Sequence, residues 1–259
     1  MAVGLDPSFA ERIGPAGWIR AVLRALALVA WLLLCLVLYY LACLRRARNP
    51  VPRMFLHGVL RIVGGRLTVT GEGVQAPSIL LANHLSWIDI PALAGATGTA
   101  FVAHDGLADH PLMRFLCLLN RTIFIARSDR GSVAGQVEQV RAGLEDSGVL
   151  TVFPEGTTGD DAGLLPFKSS LLAAVEGSAA RVAIRPACVD YGALTRQLAW
   201  VGNEPGPANF KRILARPGRF SVTVHVLAPL GGEQRRNRKT IAAAAHAAIA
   251  ARLNQRVAL

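Results

Sequence analysis

A chain of 259 residues, 52% of them hydrophobic and with a mean hydropathy of +0.38, holds one sizeable α/β domain with a short appendage and excludes two full domains. Its 28 Lys and Arg against 17 Asp and Glu give a net charge of +11, which suits acidic lipid headgroups, acidic acyl carriers or nucleic acid. Aromatics are only 6% and the basic run 235–239 contains none, so nucleic acid is not an expected partner.

The chain opens on a mixed stretch and then runs uncharged from residue 25 to residue 44, long enough as a helix to span the hydrocarbon core of a bilayer. A cleaved signal peptide is set aside, because Arg45 and Arg46 stand where small residues would be needed. Arg45, Arg46, Arg48 and Arg53 follow the segment while Arg12, Arg20 and Arg24 precede it. That modest bias predicts an inner (cytoplasmic) membrane location with the rest of the chain facing the cytoplasm. A half-inserted, one-sided arrangement stays open. Cys35 and Cys43 within the segment, with Cys117 and Cys188 beyond it, have no metal spacing and read as free thiols.

Residues 52–63 place Met54, Phe55, Val59, Leu60 and Val63 at helical spacing, which predicts either an interfacial helix or a core helix before Gly64-Gly65 ends the pattern. The division expected is therefore 1–64, membrane-anchoring helices, and 65–259, an α/β domain with a mostly parallel central sheet flanked by helices. Strands are predicted at 67–70, 79–82, 99–103, 122–126, 149–153, 181–189 and 220–227. A helix carries Val133, Val137, Val140 and Leu144 on one face. The Ala-rich stretch 240–257 reads as a surface helix behind its basic prelude.

Three of the strands are followed directly by polar residues: Asn83-His84, Arg127 and Glu155-Gly156. Parallel strands bring these to one sheet edge, where open α/β sheets place their ligand crevice. In Asn83-His84-Leu85-Ser86-Trp87-Ile88-Asp89 a carboxylate can reach back to the imidazole across a strand-to-helix turn. It would hold one ring nitrogen and leave the other to take a proton from a hydroxyl. Taken alone, His84 as a turn residue and Asp89 as a helix cap is the stronger reading, and Arg127 alone reads as a solvated charge. Phe153-Pro154-Glu155-Gly156-Thr157 adds a second carboxylate and main-chain amides at the same edge. Asp160 and Asp161 read as a solvated loop, so no metal is expected.

Together these blocks resemble the glycerophospholipid acyltransferase family, over most of residues 67–189. The run from Asn83 to Asp89 resembles its Asn-His-x-Ser-x-x-Asp block, and the run from Thr122 to Arg127 its second block. Phe153 to Thr157 resembles its Phe-Pro-Glu-Gly-Thr block, and Pro186 the proline of its fourth. The resemblance implies that His84 is the general base and Asp89 its orienting partner, with Arg127, Glu155, Gly156 and Thr157 at the acceptor site. It further implies a membrane-bound O-acyltransferase with an acyl-CoA or acyl-carrier-protein donor, a lysophospholipid acceptor and no cofactor. Direct attack on the thioester is implied too, with no acyl-enzyme on Ser86; no Gly-x-Ser-x-Gly elbow is present.

Lysophosphatidic acid is the first acceptor expected, giving phosphatidic acid, and lyso-ornithine lipid the second. Thr158, and Ser170 in Phe167-Lys168-Ser169-Ser170, depart from the family pattern. Where family members often carry a lysine after the third strand this chain reads His104-Asp105, so His104 or Lys168 would serve in its place. The expectation from another class is a non-enzymatic basic module tethered to membrane lipid.

Overall fold

The computed structural model describes residues 13–44, 49–125, 133–160, 163–178, 182–202 and 204–257. All but the last residue of the predicted apolar segment lies within α1 (Pro15–Cys43), which starts with a proline in its first turn, where a missing N–H costs nothing. It is followed by α2 (Val51–Ile62), β1 (Gly65–Gly71), β2 (Ser78–Ala82), α3 (Asp89–Thr97) and β3 (Ala100–His104). Next come α4 (Pro111–Leu119), β4 (Ile123–Ile125), α5 (Val133–Ser147), β5 (Val149–Val152), α6 (Ala173–Ser178) and β6 (Ala183–Asp190). The chain closes with α7 (Thr195–Leu198), α8 (Gly206–Ala215), β7 (Phe220–Val226) and α9 (Arg238–Val257).

All seven predicted strands are present and form one sheet in the order β1-β7-β6-β2-β5-β3-β4. The five strands β6, β2, β5, β3 and β4 run parallel, whereas β7 is antiparallel to β6 and β1 parallel to β7. The sheet is thus mostly parallel with a reversed pair at one side. Ser78–Ala82 and Val149–Val152 are buried at every residue, as strands covered on both faces must be.

One face packs Leu80, Ala82, Ile88, Leu93 and Val224 with side chains of α1, α2, α3 and α8. The other packs Ile79, Leu81, Leu150 and Ile184 with side chains of α5, α6 and α9. β2 is therefore central, flanked by β5 and β6, and these three parallel strands end at one edge.

α1 does not stand clear of this body. Arg20 Nε donates to Ala215 O at 3.0 Å, and Arg24 donates to the carbonyls of Leu214 and Arg216 at 3.0 and 2.9 Å, closing the C-terminus of α8. α2 returns along α1: Asn49 Nδ2 donates to Tyr39 O at 3.1 Å, and Trp31 Nε1 donates to Phe55 O at 3.0 Å. Gly58 makes that approach possible, since a β-carbon there would fall 2.1 Å from the Trp31 ring nitrogen. The outer side of α1 leaves Val22, Leu26, Val29, Leu33, Val37 and Leu41 more than half exposed.

Candidate functional site

His84 is the second residue past β2, and its position is set by the strand ends on both sides. Asn83 Nδ2 donates to Val189 O at 3.0 Å, while Val189 N–H donates to Asn83 Oδ1 at 2.7 Å. This side-chain amide, 1% exposed, ties the end of β2 to the end of β6 where the ladder stops. On the other side the His84 N–H donates to Glu155 Oε1 at 2.7 Å, and the Gly159 N–H donates to His84 O at 2.7 Å. The imidazole lies flat on Phe153, with ring centroids 4.1 Å apart and planes 18° from parallel.

The His84 ring is thus placed before its acid partner is considered. Its Nδ1 lies 2.8 Å from Asp89 Oδ2. Asp89 occupies the first turn of α3 and is completely buried, and the same oxygen accepts the Leu85 and Ser86 N–H groups at 2.6 and 2.9 Å. A carboxylate only accepts, so Nδ1 carries a proton, and in the neutral ring the lone pair is on Nε2. The His84 side chain is 19% exposed.

Glu155 is 2% exposed, and its carboxylate reaches main-chain amides: His84 N–H on Oε1, and Leu165 N–H on Oε2 at 3.2 Å. Burial pushes its carboxyl up to about 7, against the pull of these two amides. In this arrangement Glu155 braces the His84 loop from beneath. Gly156 adopts φ of +69° in the turn after it, a left-handed conformation that glycine reaches without strain. A β-carbon there would also meet Lys168 Nζ at 3.2 Å, so the exposed Lys168 ammonium lies beside this turn. Thr157 is exposed at the mouth of the edge, and Thr158 Oγ1 donates to Trp200 O at 2.5 Å.

The structure therefore brings together His84, Asp89, Glu155, Gly156 and Thr157. Arg127 lies outside the described residues. Ser86 is completely buried, which closes it to an acyl donor. Two contributors escape a reading of the sequence. Tyr191 donates its phenol O–H to Asp89 Oδ1 at 2.5 Å, and Trp200 N–H donates to Leu85 O at 2.8 Å. Tyr191 is the first residue past β6, at the edge that carries His84 and Glu155, and no sequence motif marks it.

A proton-accepting imidazole held by a buried carboxylate can activate a hydroxyl; the family of the chain comes from comparison with known proteins. A family model described as Acyltransferase matches residues 66–190. The lyso-ornithine lipid O-acyltransferase of Brucella abortus is 30% identical over 243 residues, covering 87% of this chain and 91% of that one. The Rhodobacter capsulatus protein of the same name is 34% identical over 203 residues, covering 75% and 72%. The 1-acyl-sn-glycerol-3-phosphate acyltransferase of Neisseria meningitidis is 29% identical over 138 residues, covering 52% and 54%.

Among solved structures, the 1-acyl-sn-glycerophosphate acyltransferase of Thermotoga maritima superposes with a TM-score of 0.56 at 20% identity, covering 88% of this chain and 96% of that one, and so shares the fold. Similarity over 91% and 72% of two named acyltransferases makes this chain an enzyme of the glycerophospholipid acyltransferase family.

Proposed function

We propose that the enzyme is a membrane-bound O-acyltransferase that moves a fatty acyl group from a thioester, acyl-CoA or acyl carrier protein, to the hydroxyl of a lyso-ornithine lipid. The observation that carries the chemistry is the buried Asp89 holding Nδ1 of a His84 side chain that stays 19% exposed. The acceptor hydroxyl gives its proton to Nε2 as its oxygen attacks the thioester carbonyl carbon. The tetrahedral oxyanion then collapses, the carbon–sulfur bond breaks, and the departing thiolate takes the proton from the imidazolium. His84 ends neutral and no group is left on the protein. Arg127, Gly156, Thr157 and Lys168 are the residues proposed to meet the acceptor headgroup and the thioester oxygen, with Glu155 holding their turn to the His84 loop.

The acceptor is chosen on coverage. Relatives named for lyso-ornithine lipid align over 70% to 91% of their own length, whereas the two Neisseria relatives named for 1-acyl-sn-glycerol-3-phosphate align over 54%. Thr158 and Ser170 are positions where the chain departs from the family pattern. Lysophosphatidic acid is the second reading, favoured by the intact His84–Asp89 and Phe153–Thr157 blocks.

The location proposed is the inner (cytoplasmic) membrane with the α/β body in the cytoplasm. α1 has a mean hydropathy of 2.6 in its most apolar window. Arg24 ties its first half to the body, and α2, too short to cross a bilayer at 12 residues, brings the chain straight back. Residues 1–64 then anchor the enzyme from one side. The test is transfer of labelled acyl from acyl-CoA by the purified enzyme to each lyso-lipid separately. A kcat/KM at least about tenfold higher for lyso-ornithine lipid, a difference of about 1.4 kcal/mol, supports the first reading, and the reverse ratio selects the second.

A further inference from the structure

Asp89 receives four donors, of which three, His84 Nδ1 and the amides of Leu85 and Ser86, come from its own loop and all meet Oδ2. A carboxylate fixed at one oxygen can still swing its other oxygen about that point. The fourth donor is the Tyr191 phenol on Oδ1, and it comes from a different strand end, 102 residues away in sequence. Tyr191 is itself held: it is 3% exposed, its ring meets Phe220 edge-on at 6.4 Å, and its carbonyl accepts the Leu194 N–H at 3.2 Å. The Asn83–Val189 clamp fixes β2 against β6 immediately before the two loops that carry His84 and Tyr191.

We propose that Tyr191 is a positioning residue of the acyl transfer: its O–H pins the second oxygen of Asp89, sets the plane of the carboxylate, and so holds the His84 imidazole in line with the acceptor hydroxyl. It touches neither substrate. This rests on the reading of His84 as the base. Burial and the neighbouring Asp89 charge push the Tyr191 phenol well above its ordinary range, so it stays a donor wherever the enzyme works.

Among the described residues, charged groups lie next to the trio. Glu155 lies beneath the His84 loop, Asp190 precedes Tyr191 with its carboxylate on the Gly192 N–H, and Arg66 and Arg219 line an open depression beside Tyr191 and Phe220.

Tyr191→Phe removes one oxygen and keeps the ring. With acyl-CoA and lyso-lipid in detergent, kcat is expected to fall about tenfold, the effect of one hydrogen bond to a charged group, with the acceptor KM unchanged. The acidic limb of kcat/KM moves to higher pH, because an Asp89 carboxylate with one donor fewer holds a proton on the imidazole more tightly. In an Asp89→Asn background the same change lowers kcat less than about twofold, since the two act as one unit.

Wild-type kcat and pH profile in Tyr191→Phe overturn the proposal, and so does an equal loss in both backgrounds. A drop in thermal stability with an unshifted profile assigns Tyr191 to packing alone and also overturns it. His84→Ala, measured alongside, separates this from failure of the base assignment: full activity there removes the base, whatever Tyr191 does.

Discussion

Glu155 shows how one buried carboxyl can serve a neighbour's chemistry. Its side chain spends both oxygens on the amides of His84 and Leu165, and its carboxyl is raised to about 7 by burial. A raised carboxyl makes the folded chain bind a proton that the unfolded chain, titrating near the ordinary 4.5, has already released. This contribution to stability is complete below about pH 4.5 and is lost as the pH climbs to about 7.

Thermal melts across that window should therefore show a downward slope with pH that Glu155→Gln reduces. A Glu155→Gln slope equal to wild type would contradict the assignment. The pair His84–Asp89 was legible in sequence because both residues belong to one local turn. Tyr191 was not, because its reach to Asp89 depends on β6 lying beside β2, which no local pattern encodes. Glu155 was legible as a site residue, but its inward direction was not.

At the scale of elements, α1 and α2 form one packed pair with the body. Gly58 lies under Trp31, and the Trp31 indole closes the contact by donating to Phe55 O. Gly58→Leu must push the two helices apart, with an expected cost of about 1–3 kcal/mol. Near-ultraviolet circular dichroism of Trp31 and the melting temperature read the change together, and an unaltered melt would mean that α2 stands without α1.

The strands were legible because β2 and β5 are short apolar runs and β7 alternates. α4 was not legible, since its nine residues are a nearly continuous apolar run too short to tell helix from strand. α8 opens on Gly206-Pro207 and spans only ten residues, too short for its period to declare itself. The reversed direction of β1 and β7 escaped as well, because alternation reports burial and not strand sense.

For the whole molecule, a seven-stranded sheet gathers the ends of β2, β5 and β6 at one edge, and the apolar helix α1 packs on α2 and α8 outside the sheet. Its net charge of +11 draws such a body toward anionic lipid, and on the proposed reading the site edge takes a hydroxyl from a lipid and a thioester from a soluble donor.

The central claim is that His84 takes the proton of that hydroxyl. Single-turnover acyl transfer by the purified enzyme and by His84→Ala, at saturating acyl-CoA and lyso-lipid, tests it most directly. The account predicts a rate lower by about 10²- to 10⁴-fold in the variant, with association to lipid vesicles unchanged and no labelled acyl retained on either protein. A His84→Ala enzyme that transfers acyl at the wild-type rate would contradict it.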